Sequence, residues 1–141
     1  MMINKILKVS LILSILPSSL AANTQYFQEG VNLYNDRKFE EAKFKFEQDI
    51  VFNPKSEMAY LYLSKIFKNL ENKNLQEQNL NTVILLNPMN EEAIYNLAKL
   101  KLESSDYKQS KELNEKLISL CKKFCYKSKK LKIEIENLSK K

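Results

Sequence analysis

The chain contains no histidine, a single glycine and only two cysteines among its 141 residues. These three counts remove most of the chemistry open to a protein of this size. Without imidazole there is no Ser-His or Cys-His nucleophile pair, and most zinc sites and haem ligation by histidine are excluded. One glycine cannot build a Gly-rich phosphate loop. Carboxylates are plentiful, but the adjacent pairs Glu40/Glu41 and Glu91/Glu92 stand where helices begin. Acidic residues in a first helical turn complement the positive end of the helix dipole. The expected catalytic residues, metal ligands and cofactors are none, and the chain reads as a non-enzyme.

Cys121 and Cys125 are the only thiols. Their spacing is wider than that of a Cys-x-x-Cys redox motif. Three readings stay open for them: a structural disulfide, buried free thiols, or a redox or metal role. On a continuous helix the two Cα atoms would lie within disulfide range with poorly aimed side chains, so a bridge between them requires a break in the helix.

The elements that must carry these residues are helices. Hydrophobic residues make up 44% of the chain, enough for a core, while one Gly and three Pro are too few turn residues for an all-β fold. The formal charge is +6, but it is uneven: residues 121–141 hold eight Lys and two Glu, whereas residues 22–120 hold thirteen basic and fifteen acidic residues. The basic character therefore belongs to the ends. Lysine outnumbers arginine 22 to one, a bias that codon supply in an AT-rich genome produces without any partner. The basic tail lacks arginine and interleaved aromatics, so no nucleic-acid partner is expected. Contact of this Lys-rich C-terminus with an anionic membrane surface and a plain solvated cap are both compatible with it.

Residues 1–22 read as a signal peptide. Lys5 and Lys8 precede an apolar run at 9–16, and Ser19-Leu20-Ala21 puts small side chains at the positions a signal peptidase reads. The run is shorter than the roughly 20 apolar residues that span a bilayer. Cleavage after Ala21 or Ala22 is expected, which sends the protein to the periplasm or beyond.

The rest of the chain repeats. Asn53-Pro54 and Asn87-Pro88 are 34 residues apart, and counting back from each Pro divides the chain into units at 23–56, 57–90 and 91–124. Small residues recur at the eighth position (Gly30, Ser64, Ala98), Ile50, Ile84 and Ile118 at the twenty-eighth, and Phe52, Leu86 and Leu120 at the thirtieth. A small residue in a helix admits a second helix closely, and Pro halts each unit before the next begins. The units are helical hairpins that bury their apolar faces only by stacking. Residues 125–141 form an additional basic helix with Ser128, Leu131, Ile135 and Leu138 on one face, suited to capping the array.

On these residues the sequence resembles the tetratricopeptide repeat family. The first unit carries Tyr26, Gly30, Leu33, Phe39-Glu40-Glu41-Ala42, Phe46 and Pro54; the second, Tyr60, Leu63, Ser64, Phe67, Leu80 and Pro88; the third, Ile94, Leu97, Ala98, Tyr107, Ser110 and Leu117. Lys73 and Gln76 depart from the family pattern in the second hairpin turn. Lys122 replaces the expected third Pro, which lets the last helix run on. The resemblance implies an all-α, right-handed superhelical array of antiparallel helical hairpins, a protein-protein interaction scaffold or assembly factor, and a concave groove lined by the first helix of each hairpin. Carried over by position, the groove residues are Phe27, Val31 and Tyr34; Met58, Leu61, Lys65 and Lys68; and Tyr95, Lys99 and Leu102. Phe27 and Val31 occupy places where a family clamp for acidic C-termini would put Lys and Asn. The implied partner is therefore another envelope protein or peptide, held by an apolar floor flanked by lysines. The C-terminal helix itself is a second candidate to occupy that groove. The alternative function is a redox-linked accessory protein working through Cys121 and Cys125.

Overall fold

The structure is a computed structural model and describes residues 24–140. Residues 1–22, for which a signal peptide is expected, lie outside the described residues. Seven helices and no strands occur among the described residues: α1 (Gln25–Asn35), α2 (Phe39–Phe52), α3 (Glu57–Asn69), α4 (Lys73–Leu86), α5 (Glu91–Glu103), α6 (Tyr107–Leu120) and α7 (Cys125–Leu138). No helix among them is long and apolar enough to cross a membrane.

Four of the seven helices start at a side-chain cap. Thr24, Asn72, Asn90 and Asp106 cap α1, α4, α5 and α6 by accepting backbone N–H bonds from Phe27, Leu75, Ala93 and Gln109, which satisfies a donor left free in the first turn. Thr24 also donates its hydroxyl to Asp49, a buried residue of α2 at the position where Val83 and Leu117 serve in the later units. This bond ties the start of α1 to the end of α2.

The hairpin turns share a feature that the sequence hides. Arg37, Glu71 and Ser105 have φ of 61°, 56° and 60°, so the left-handed conformation recurs every 34 residues without a glycine. The following N–H groups of Lys38, Asn72 and Asp106 reach back to the carbonyls of Leu33, Phe67 and Lys101. These bonds close the first helix of each hairpin in a Schellman arrangement. The second hairpin turn is thus built like the other two, despite Lys73 and Gln76.

Packing follows the small residues. A Cβ on Gly30 would stand 2.9 Å from the Phe46 ring, so the ring of α2 packs directly on the bare backbone of α1 at this position. In the third hairpin Ala98 is fully buried, and its carbonyl accepts from the Ser110 hydroxyl at 2.8 Å. The core runs as three linked clusters: Phe27, Phe46, Ile66 and neighbours; Leu61, Leu80, Val83, Leu97 and Leu100; and Ala98, Leu102, Leu131 and Ile135.

The last hairpin departs from expectation in one respect. Helix α6 does not run on past Leu120: Cys121 turns to extended backbone and α7 starts afresh at Cys125. The break needs no proline because Glu91 supplies it. Its carboxylate accepts the backbone N–H groups of Lys122, Lys123 and Phe124 at 2.9, 2.9 and 2.8 Å, holding three donors that a continuing helix would use. Helix α7 begins at the register of α3 and α5, 34 residues on from Glu91, and packs on α5 and α6. It is therefore built as the first helix of a further unit. Lys132, however, occupies the place of Gly30, Ser64 and Ala98, so α7 lacks the small residue at which the earlier first helices receive their partners.

Candidate functional site

The first helices of successive hairpins lie side by side and are cross-linked along one face. Between α1 and α3 the link is aromatic: the Tyr34 and Tyr62 rings meet edge to face with centroids 5.1 Å apart, and Phe27 meets Tyr62 at 5.9 Å. Between α3 and α5, Lys65 pairs with Glu92 at 2.8 Å and lies over the Tyr62 ring. Between α5 and α7, Lys99 pairs with Glu134 at 3.2 Å, and Tyr95 packs against Phe124 under the Lys127 ammonium.

This arrangement divides the ten groove candidates. Phe27, Leu61 and Leu102 are buried in the three core clusters, each closed off by a different neighbour: Phe46 and Tyr62 over Phe27, Leu80 and Val83 beside Leu61, Leu131 and Ile135 over Leu102. Tyr95 and Lys99 are taken up by α7. That leaves Val31 and Tyr34, both half-buried, with Met58, 44% exposed, and Lys68, also exposed. Lys65 remains at the edge with its charge already met by Glu92. Helix α7 thus covers the α5 end of the row but stacks outward as the next element of the array, and the α1/α3 end is open. Beside Tyr34 a shallow hollow is lined by Asn35, Arg37, Phe39 and Asn69, which puts amide and guanidinium donors at the rim of an aromatic floor.

Two residues matter here that the positional carry-over omitted. Tyr62 stacks on Phe46 at 4.9 Å and seats Tyr34, but the sixth position reads Gln28, Tyr62 and Asn96 and has no periodic signal. Glu92 occupies the same position of its unit as Met58, so the repeat frame itself pointed to it.

Glu91 and Glu57 hold equivalent places, and both carboxylates reach forward to the next inter-unit loop. Glu57 accepts from the side-chain amides of Asn87 and Asn90. Glu91 takes the three N–H groups before α7. Desolvation pushes the Glu91 carboxyl up, but the backbone donors of Phe124, Lys122 and Lys123 outweigh it and hold the group below the ordinary carboxylate range. In the same loop the sulfurs of Cys121 and Cys125 stand at disulfide distance, with Cα atoms 5.2 Å apart. The helix break that such a pair requires is present. The junction between α6 and α7 is therefore gripped from both sides.

No protein-family model matches the chain, and no curated protein matches it in sequence. Solved structures match its fold. The Yersinia enterocolitica type III secretion chaperone SycD, solved with a peptide of the translocator YopD, superposes with a TM-score of 0.73 at 16% identity over 83% of this chain and 93% of that one. The first tetratricopeptide domain of Spaghetti (RPAP3), bound to the HSP90 peptide SRMEEVD, gives 0.73 at 14% identity over 82% and 94%. PcrH in complex with the chaperone-binding region of PopD gives 0.70 at 14% over 82% and 89%. The fold is an all-α tetratricopeptide-type array: three helical hairpins and a terminal helix among the described residues.

Proposed function

We propose that the chain is a non-catalytic interaction scaffold that holds a peptide or helix of a partner protein across the open α1/α3 end of its concave face. The observation that carries this reading is that Val31 and Tyr34 stay half-buried on an aromatic floor and Met58 and Lys68 stay exposed, while Lys65, Tyr95 and Lys99 are packed or paired. Peptide-bearing structures of the same fold support it. Lys65 and Lys99 are already matched by Glu92 and Glu134, so apolar anchors dominate recognition and Lys68 adds a minor preference for acid. Such a segment docks as an amphipathic helix or an extended strand with apolar anchors.

The place of action we propose is the bacterial cell envelope, after removal of residues 1–21 or 1–22. The charged start, apolar run and small-residue zone support it, as does the cysteine pair in a compartment that maintains disulfides. In this reading Cys121 and Cys125 form a structural bridge that pins α7. Two experiments test the proposal. N-terminal sequencing of chain recovered from its host gives Ala22 or Asn23 in the envelope fraction; an intact Met1 in the cytoplasmic fraction refutes export. Capture of partners by the mature chain, repeated with Tyr34→Ala, loses the partner by about 1–3 kcal/mol if Tyr34 is a central anchor. Unchanged capture refutes the groove.

A further inference from the structure

Helix α7 turns Ser128, Leu131 and Ile135 into the core. At 100° per residue the opposite pole of the helix carries Tyr126 and Ile133, seven residues apart and 80% and 60% exposed. Lys129 and Lys130 flank that pole, and Lys122 and Lys123 stand exposed in the turn before it. On the first-helix and second-helix faces of the hairpins several lysines are matched, Lys45 with Glu29, Lys65 with Glu92, Lys99 with Glu134 and Lys101 with Glu77, while others such as Lys68 and Lys116 stand singly and without an exposed apolar pair between them. Lys122, Lys123, Lys129 and Lys130 make no ion pair among the described residues. The two acids of α7 have other partners, Glu134 in Lys99 and Glu136 in Lys132, and Glu91 is held by the backbone N–H groups of the turn.

We infer that this face of α7 docks on an anionic lipid surface, with the Tyr126 ring and the Ile133 side chain entering the headgroup boundary and the lysines meeting phosphates. An apolar pair bordered by unpaired ammonium groups fits an interfacial helix, since lysine stems lie along apolar surface while their heads reach charge. A second copy of the chain is a poor occupant of the same face, because stacking it there sets lysine against lysine. By the 34-residue register Tyr126, Lys129 and Ile133 hold the places of Met58, Tyr95 and Lys99, so this face continues the first-helix row at the far end of the array, and the inference shares no residue with the α1/α3 groove.

Vesicle flotation of the full chain tests it, with vesicles of phosphatidylcholine alone and of phosphatidylcholine mixed evenly with phosphatidylglycerol. The variants Lys129→Gln with Lys130→Gln, and Tyr126→Ser with Ile133→Ser, keep the first 23 residues unchanged, so differences between them and the parent report α7 and not the apolar run at 9–16. All four positions are exposed, and circular dichroism verifies the fold. The expected result is selective flotation with the anionic vesicles. Each lysine near such a surface contributes about a fivefold factor, so the double glutamine variant binds on the order of tenfold or more weaker. The double serine variant binds weakly once salt screens the lysines. Equal flotation of parent and glutamine variant overturns the proposal, as does equal binding to both vesicle types. Binding to soluble polyphosphate without flotation overturns it in favour of a non-lipid anion, and unaltered binding of the serine variant at high salt removes the insertion step.

Discussion

Gly30→Ala gives the sharpest reading of how the first hairpin is held. An alanine in the middle of an exposed helix stabilises relative to glycine by about 0.5–1 kcal/mol, because it restricts the unfolded chain. Here the added methyl would lie 2.9 Å from one Phe46 ring carbon and 3.0 Å from two more. Ordinary carbon contacts lie near 3.5–4.0 Å, so the ring or the helix must shift by about half an ångström or more. Phe46 has no exposed surface and nowhere simple to go: Tyr62 stacks on it at 4.9 Å and Phe27 meets it edge-on at 5.7 Å. Overpacking of this kind costs about 1–3 kcal/mol, which outweighs the propensity gain and leaves a net loss of about 1–2 kcal/mol. A chain of this size then melts roughly 3–8 °C lower, read by circular dichroism with a urea titration beside it. Displacing Phe46 also moves Tyr62, and with it Tyr34, so partner affinity should fall together with stability. Adding Phe46→Leu to the alanine variant should recover part of the loss, since the two changes share one contact. An unchanged or raised melting temperature for the single variant refutes the close packing of α1 on α2.

Glycine at the three turns should act in the opposite direction: Glu71→Gly and Ser105→Gly each relieve a left-handed residue and should raise stability by about 1 kcal/mol, measured by urea unfolding, with no gain disproving the shared turn conformation. For Glu91 the folded carboxyl titrates below its unfolded value of about 4.5, so its contribution is present above that pH and is lost as pH falls through the folded value. Glu91→Gln should therefore weaken α7 docking at neutral pH and flatten the acid limb of the stability curve, and an acid limb identical to the parent's refutes the carboxylate grip on the turn before α7.

The sequence made the repeat legible because proline and small side chains act through sterics alone. Pro54 and Pro88 stop helices wherever they occur, and Gly30, Ser64 and Ala98 mark where helices touch. The turns were less legible: Arg37, Glu71 and Ser105 have side chains that ordinarily avoid positive φ, and only the backbone bonds of the closed turn impose it. The end of α6 was hidden for a different reason. Glu91 resembles any acidic residue at a helix start, and its hold on the N–H groups before α7 exists only once α5 and α7 are neighbours. The groove shows the same limit. Positional transfer names the face a residue occupies but not what covers it, so Phe27, Leu61 and Leu102 are in the core while Val31, Tyr34 and Met58 remain open. Tyr62 has no counterpart in the other units and could be placed only by its ring contacts.

Partner binding on the α1/α3 concave face is the property on which the proposed function stands. Backbone and side-chain NMR shifts of the labelled chain, titrated with the partner segment recovered in capture, test it directly. The largest changes should fall at Val31, Tyr34, Met58 and Lys68, while the outer faces of α2 and α4, marked by the exposed Phe44 and Leu85, stay still. Changes concentrated at Phe44 and Leu85, or confined to α7, contradict it.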